Sequence, residues 1–189
     1  MSIFCSSSDL VGLRPTPQGN SAVAHSIRYP LFALHYFFLA FLLPLSLAAA
    51  VPSDADQLDK LFERSTLQIA TSDAHLHTFR IWIADNNSRR ARGLMFVRNL
   101  DPDAGMLFVY DSPQSISMWM KNTRIPLDML FVAANGRVMR VVEHTEPESL
   151  KTIDSGSDVI GVVELNAGTA AKLHIKAGAQ VIHPAFVAG

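Results

Sequence analysis

His77-Thr-Phe-Arg-Ile-Trp-Ile-Ala84 places Phe79, Ile81 and Ile83 on one side of an extended chain, with Arg80 and Trp82 on the other. A period of two is the signature of a strand with one face turned to a core. Strand signals of this kind recur in both directions. Thr66 to Ala70 is a short alternating run before it. After it, Asp85 is placed to cap a short helix through Arg92, which Gly93 ends. Gly105 to Tyr110 leaves an Asp-Pro-Asp-Ala-Gly turn as a strand, and Ser115 to Met120 and Leu127 to Ala133 follow. Asn135-Gly136 predicts a hairpin, because both residues tolerate positive φ, and Arg137 to Glu143 returns from it. Ser149 to Asp158 reads as a polar loop, Val159 to Leu165 as a strand, Gly168 to Leu173 as a short helix and Gln180 to His183 as a closing strand. Many short strands and two short helices predict a mostly β fold, a compact antiparallel sandwich or barrel, with an α+β arrangement as the alternative.

The first third of the 189 residues differs from the rest. Residues 1–30 are polar, and residues 31–50 form an apolar run without Asp, Glu, Lys or Arg. A cation (Arg28), an apolar segment and small residues at Ala48 and Ala50 make the pattern of an export signal cut after Ala50. An uncleaved membrane anchor is the competing reading, since about 20 apolar residues can span a bilayer. Either way the expected location is periplasmic or secreted, or anchored facing the periplasm, with membrane contact only through this segment. Residues 51–65 read as a polar linker with room for one helical turn, and residues 66–187 as a single domain, enough for one core.

Beyond residue 50, the 16 basic residues lose Arg14 and Arg28 and the 17 acidic ones lose Asp9, which leaves a net charge of −2. That balance gives no electrostatic case for nucleic acid as a partner. Cys5, the single cysteine, lies in the leader. The mature domain therefore has no disulfide, thiol nucleophile or thiolate metal site, and no cofactor is expected.

Four ordered motifs stand out: Ala91-Arg-Gly-Leu-Met-Phe96, Leu100-Asp-Pro-Asp-Ala-Gly-Met-Leu-Phe108, Met118-Trp-Met-Lys-Asn-Thr-Arg-Ile-Pro-Leu-Asp128 and Val163-Glu-Leu-Asn-Ala-Gly-Thr169. Together, from about Phe79 to Val181, they closely resemble the domain of unknown function 192 family of small prokaryotic proteins. The resemblance implies a mostly β single domain, often exported or membrane-tethered, with no established activity. Two departures matter. Gly178-Ala179 stands where many members carry Gly-Asp, and Glu146 to Asp158 lacks the cysteines of some relatives. Both argue against a metal or redox role in that loop.

The candidate binding residues are Arg92, Trp119, Lys121, Asn122, Asp128 and Glu164. On a strand, Met118 and Met120 point together and Trp119 points away from them. The methionines serve as core packing, or as soft ligands for monovalent copper together with His75 and His77. Lys121, Asn122 and Thr123 form a polar turn in which Asn122 tolerates a left-handed backbone, or offer three polar groups to a ligand. Asp128 heads an apolar strand, where an unpaired carboxylate is costly, and Arg92 is its expected partner. Asn166 is placed to cap a helix from Ala167. Glu164 ends an apolar strand without a structural reason. Glu143 and His144 resemble an acid–base pair, and Ser117 and Ser155 lack any nucleophile context.

Two functional classes follow. The first is an exported binding or accessory domain of the cell envelope, for a small ligand or an envelope partner, with copper binding as a variant. The second is an envelope-directed hydrolase that uses Glu164 or Asp128 with Lys121.

Overall fold

Strands dominate residues 53–186, the part of the chain that the computed structural model describes. The elements are α1 (Asp54–Asp59), β1 (Glu63–Ala70), β2 (Leu76–Ala84), α2 (Asn87–Arg92), β3 (Ala104–Met118), β4 (Leu127–Val132), β5 (Val138–Val142), β6 (Ile153–Asn166), α3 (Thr169–Lys172) and β7 (Gln180–Ile182). The export and anchor readings of residues 1–50 lie outside the described residues.

The seven strands form one sheet in the order β5-β4-β6-β3-β2-β1-β7. Its two edges almost meet. Val138 donates to Ala179 O and Gly178 donates to Val138 O, each at 2.8 Å, and Val181 donates to Gly136 O at 2.7 Å. The mostly β expectation therefore holds, as a nearly closed barrel with three short helices. One pairing is not antiparallel: β2 and β3 run parallel. Parallel neighbours need a crossover, and the segment between them, which carries α2, supplies it.

Alternation sorts the side chains between two clusters. One draws Leu67, Phe79, Leu107, Leu130, Val138, Val163 and Val181 from all seven strands and lines the inner face of the barrel. The other contains Trp82, Met106, Phe108, Met129, Phe131 and Val162, covered from outside by Leu58, Phe62, Leu94, Val97 and Met120. The linker expected over residues 51–65 is thus folded from Ser53 onward. Leu58 and Phe62 are buried, four residues apart, and the Ser53–Asp56 capping box starts α1. Their polar neighbours hide this in the sequence.

Three other expectations change. The two strands expected at Gly105–Tyr110 and Ser115–Met120 are one long β3. Val109 pairs with Gly161 and Gln114 with Val159, so residues 110–113 bulge out of the ladder. Pro113 is tolerated there because a bulged residue need not donate to the ladder. The polar loop expected to run to Asp158 ends earlier, since β6 begins at Ile153 and pairs it with Met118. Finally, Asn86 rather than Asp85 caps α2, accepting from Arg89 N at 2.9 Å. Gly93 ends that helix as expected, with φ +43°.

Candidate functional site

Glu164 occupies a core position. It stands between Met106 of β3 and Met129 of β4 in the ladder, and it is only 4 % exposed. Burial raises its pKa to about 8, and among the described residues no hydrogen bond or charge acts against it. Among the described residues, no fully enclosed side-chain polar atom lacks a partner. The unpartnered carboxyl oxygens of Glu164 must therefore reach a surface, and the surface is a cleft it lines.

That cleft encloses about 480 Å³, open solvent included. Arg92, Tyr110, Met118, Trp119 and Lys121 line it with Glu164. Tyr110 sits at the β3 bulge. Among the described residues, its phenol has only the Met118 sulfur, 4.0 Å away, as a partner. Burial pushes the phenol pKa up; Arg90 opposes that shift and Glu164 adds to it. Trp119 is about half exposed, just past the end of β3, and Lys121 Nζ lies 5.1 Å from its ring centroid.

The cations around the cleft rest on aromatic faces. Arg90 lies 4.8 Å from the Tyr110 centroid and Arg92 5.2 Å from that of Phe96. Among the described residues, neither Arg90, Arg92 nor Lys121 forms an ion pair. Arg90 is nevertheless occupied, donating to Val109 O, to Asp85 O at 2.9 Å and to Asn87 Oδ1. Arg92 uses only Nη1, on the carbonyls of Gly93 and Met95, and burial holds its pKa below the usual arginine range. Arg92 and Lys121 thus keep donors for something else. A second, smaller hollow near Arg64 and Arg80 differs in this respect. Its cations already pair with Asp59, Asp101 and Asp103.

Of the six expected binding residues, Arg92, Trp119, Lys121 and Glu164 come together here. Asn122 does not line the cleft. It has φ +57°, and its carbonyl accepts from Phe96 N at 2.9 Å. The expected Arg92–Asp128 pair does not form. Asp128 is fully buried, and its two oxygens accept from His144 N at 2.9 Å and Ala170 N at 2.8 Å. Backbone N–H groups offset its burial, so no guanidinium is required. Asp128 thereby caps α3, whose own N-cap is Gly168. Asn166 does not cap that helix; its Nδ2 donates to Leu100 O and Asp101 O.

The other candidates separate as well. Met118 and Met120 pack in the outer cluster, while His77 precedes Phe79 and Ile81 of the inner one by the strand period. His75 and His77 stack on each other at 6.3 Å. His77 therefore stands on the face opposite the cluster that holds the two methionines. Ser155 is buried, donating to Ser157 O and accepting from Ile116 N. Ser117 donates to Asp154, and Glu143 and His144 are exposed. Tyr110 was not singled out from the sequence. The signal was available in Pro113, three residues on in a strand, which marks a bulge.

The family described as "Uncharacterized ACR", domain of unknown function 192, matches residues 68–183. The chain belongs to this family. Two solved structures are similar to it. A protein of Sinorhizobium meliloti 1021, described as a "putative transcription regulator", is 36% identical with a TM-score of 0.65, over 66% of this chain and 97% of that one. A protein of unknown function from Novosphingobium aromaticivorans DSM 12444 is 32% identical with a TM-score of 0.63, over 65% and 86%. None of the curated proteins matches.

Proposed function

We propose that this family-192 protein is a small-molecule-binding domain of the cell envelope, with its ligand in the cleft between Trp119 and Glu164. One observation carries the reading: a buried carboxyl without a protein partner opens onto a cleft whose rim holds the unpaired cations Arg92 and Lys121. A structural ion pair would leave no such remainder, because buried charge is costly until something offsets it. The exposed Trp119 ring offers a flat apolar contact beside them. The ligand class is an organic anion, held by Arg92 and Lys121 at the rim. The charge-free apolar run at residues 31–50 after Arg28 supports export.

Tryptophan fluorescence tests the reading, since of the two tryptophans Trp82 is buried and Trp119 exposed. Titration with a panel of small carboxylates and phosphates should shift the emission saturably. Trp119→Phe should remove the signal, and Lys121→Ala should weaken binding about tenfold at unchanged melting temperature. A flat response across the panel would remove the reading.

A second reading is hydrolysis with Glu164 as the proton-transfer group, favoured by a carboxyl whose pKa burial raises to about 8. Ser117 and Thr123 line the cleft, but their hydroxyls donate to Asp154 and to Lys121 O, so water would have to attack. Turnover of any envelope ester, peptide or glycan by the wild type but not by Glu164→Gln would support it.

A further inference from the structure

The two ends of the cleft ask for opposite charges. At the rim, among the described residues, Arg92 keeps guanidinium donors unengaged and Lys121 Nζ has only the Trp119 face. At the floor, Glu164 has apolar ladder neighbours, Met106 and Met129, and shares the cleft lining with the Tyr110 phenol, whose pKa its charge raises. Neither cation offsets the burial of Glu164, so floor and rim act as separate poles. Arg90, the remaining charged group at the cleft, is engaged with Asn87 and two backbone carbonyls.

We propose that the ligand is an aminocarboxylate zwitterion, its ammonium group on Glu164 and Tyr110 and its carboxylate between Arg92 and Lys121. This rests on the binding reading above and narrows it. A hydroxyl at the floor would satisfy hydrogen bonding but leave any charge on Glu164 without a counterion. An ammonium group supplies both, in a charge-assisted bond that is roughly twice as strong as a neutral one. The Tyr110 oxygen is a further acceptor for it. A site built around buried polar groups also discriminates sharply, because the wrong ligand leaves those groups unpaired.

Binding then carries a proton signature. A pKa of about 8 keeps Glu164 largely protonated at pH 7 until a cation reaches it. An ammonium partner favours the carboxylate and drives that proton out. The balance is simple: the ligand arrives as ammonium, Glu164 gives its proton to buffer, and no covalent bond changes.

The test is calorimetric titration at pH 7 in two buffers of different ionisation enthalpy. The probes are the common α-amino acids and the linear series from glycine to 6-aminohexanoate, each beside the matching hydroxy acid. At least one amino acid should bind ten- to a hundredfold tighter than its hydroxy counterpart, releasing most of one proton. Glu164→Gln should abolish both the preference and the release while keeping weak carboxylate binding. Equal or tighter binding of hydroxy acids, or binding without proton release, overturns the zwitterion assignment and leaves the anion-binding reading standing. No binding by any carboxylate or phosphate overturns both.

Discussion

Asp128 and Ala170 are 42 positions apart, and the carboxylate of the first accepts the backbone N–H of the second at 2.8 Å. The same side chain accepts from His144 N at 2.9 Å. One buried acid thus ties the β5–β6 connection and the start of α3 to β4. Asp128→Ala would strand two N–H groups, at about 1–3 kcal/mol each. The expected loss is about 3–5 kcal/mol, read as a lower urea midpoint at unchanged slope. Asp128→Asn keeps one acceptor and turns an amide donor toward the other N–H, so it should lose about half as much. A change under about 1 kcal/mol in Asp128→Ala would contradict the capping role.

Glu164 makes stability depend on pH. Its folded pKa, about 8, lies above the ordinary 4.5, so between those values the folded state holds a proton that the unfolded state has lost. Stability therefore falls as pH rises from 4.5 to 8, and below 4.5 this contribution is fully present. The full swing is on the order of 5 kcal/mol. Glu164→Gln cannot titrate. It should be more stable than the wild type at pH 8, and close to it at pH 4.5. Parallel denaturation curves for the two proteins across this range would refute the burial of an unpartnered carboxyl.

The proton balance shows what the sequence could and could not convey. A carboxylate buried in an apolar strand is costly until something offsets it, and Glu164 and Asp128 both stand in such strands. Their fates differ because the donors to Asp128 are backbone N–H groups, which every residue but proline carries and no sequence marks. Arg92, the natural partner by charge, lines the cleft instead. The β2 alternation and the Asn135-Gly136 turn were legible because each has a local physical cause. The continuity of β3 was not, since Asp111-Ser-Pro113 has the same composition in a bulge as in a turn. Nor was the parallel β2–β3 pair, because alternation carries no direction.

Trp119 and Met120 are neighbours with opposite environments, 51% and 1% exposed. Met120 packs in the outer cluster with its sulfur 3.2 Å from Thr145 Oγ1. Met120→Ala should cost about 2–5 kcal/mol through the cavity it leaves. Trp119→Ala should stay within about 0.5 kcal/mol of the wild type while losing ligand. Chemical denaturation of the two variants separates scaffold from site, and a large loss in Trp119→Ala would return that ring to the core.

The seam that almost closes the barrel offers a paired test. Gly136 has φ +81°, and a Cβ there would run into Val181 O and the Gln180 side chain. Val181 N donates to Gly136 O at 2.7 Å across the same seam. Gly156 has a similar φ, +74°, but open space around it. Alanine at Gly156 therefore meets only the left-handed backbone penalty, about 1–2 kcal/mol. Alanine at Gly136 meets that penalty and must also push β7 away from the β4–β5 turn. Gly136→Ala should be the worse variant by about 1–3 kcal/mol, with faster amide exchange at Val181. Equal losses at the two glycines would mean that the edges of the sheet do not meet in solution.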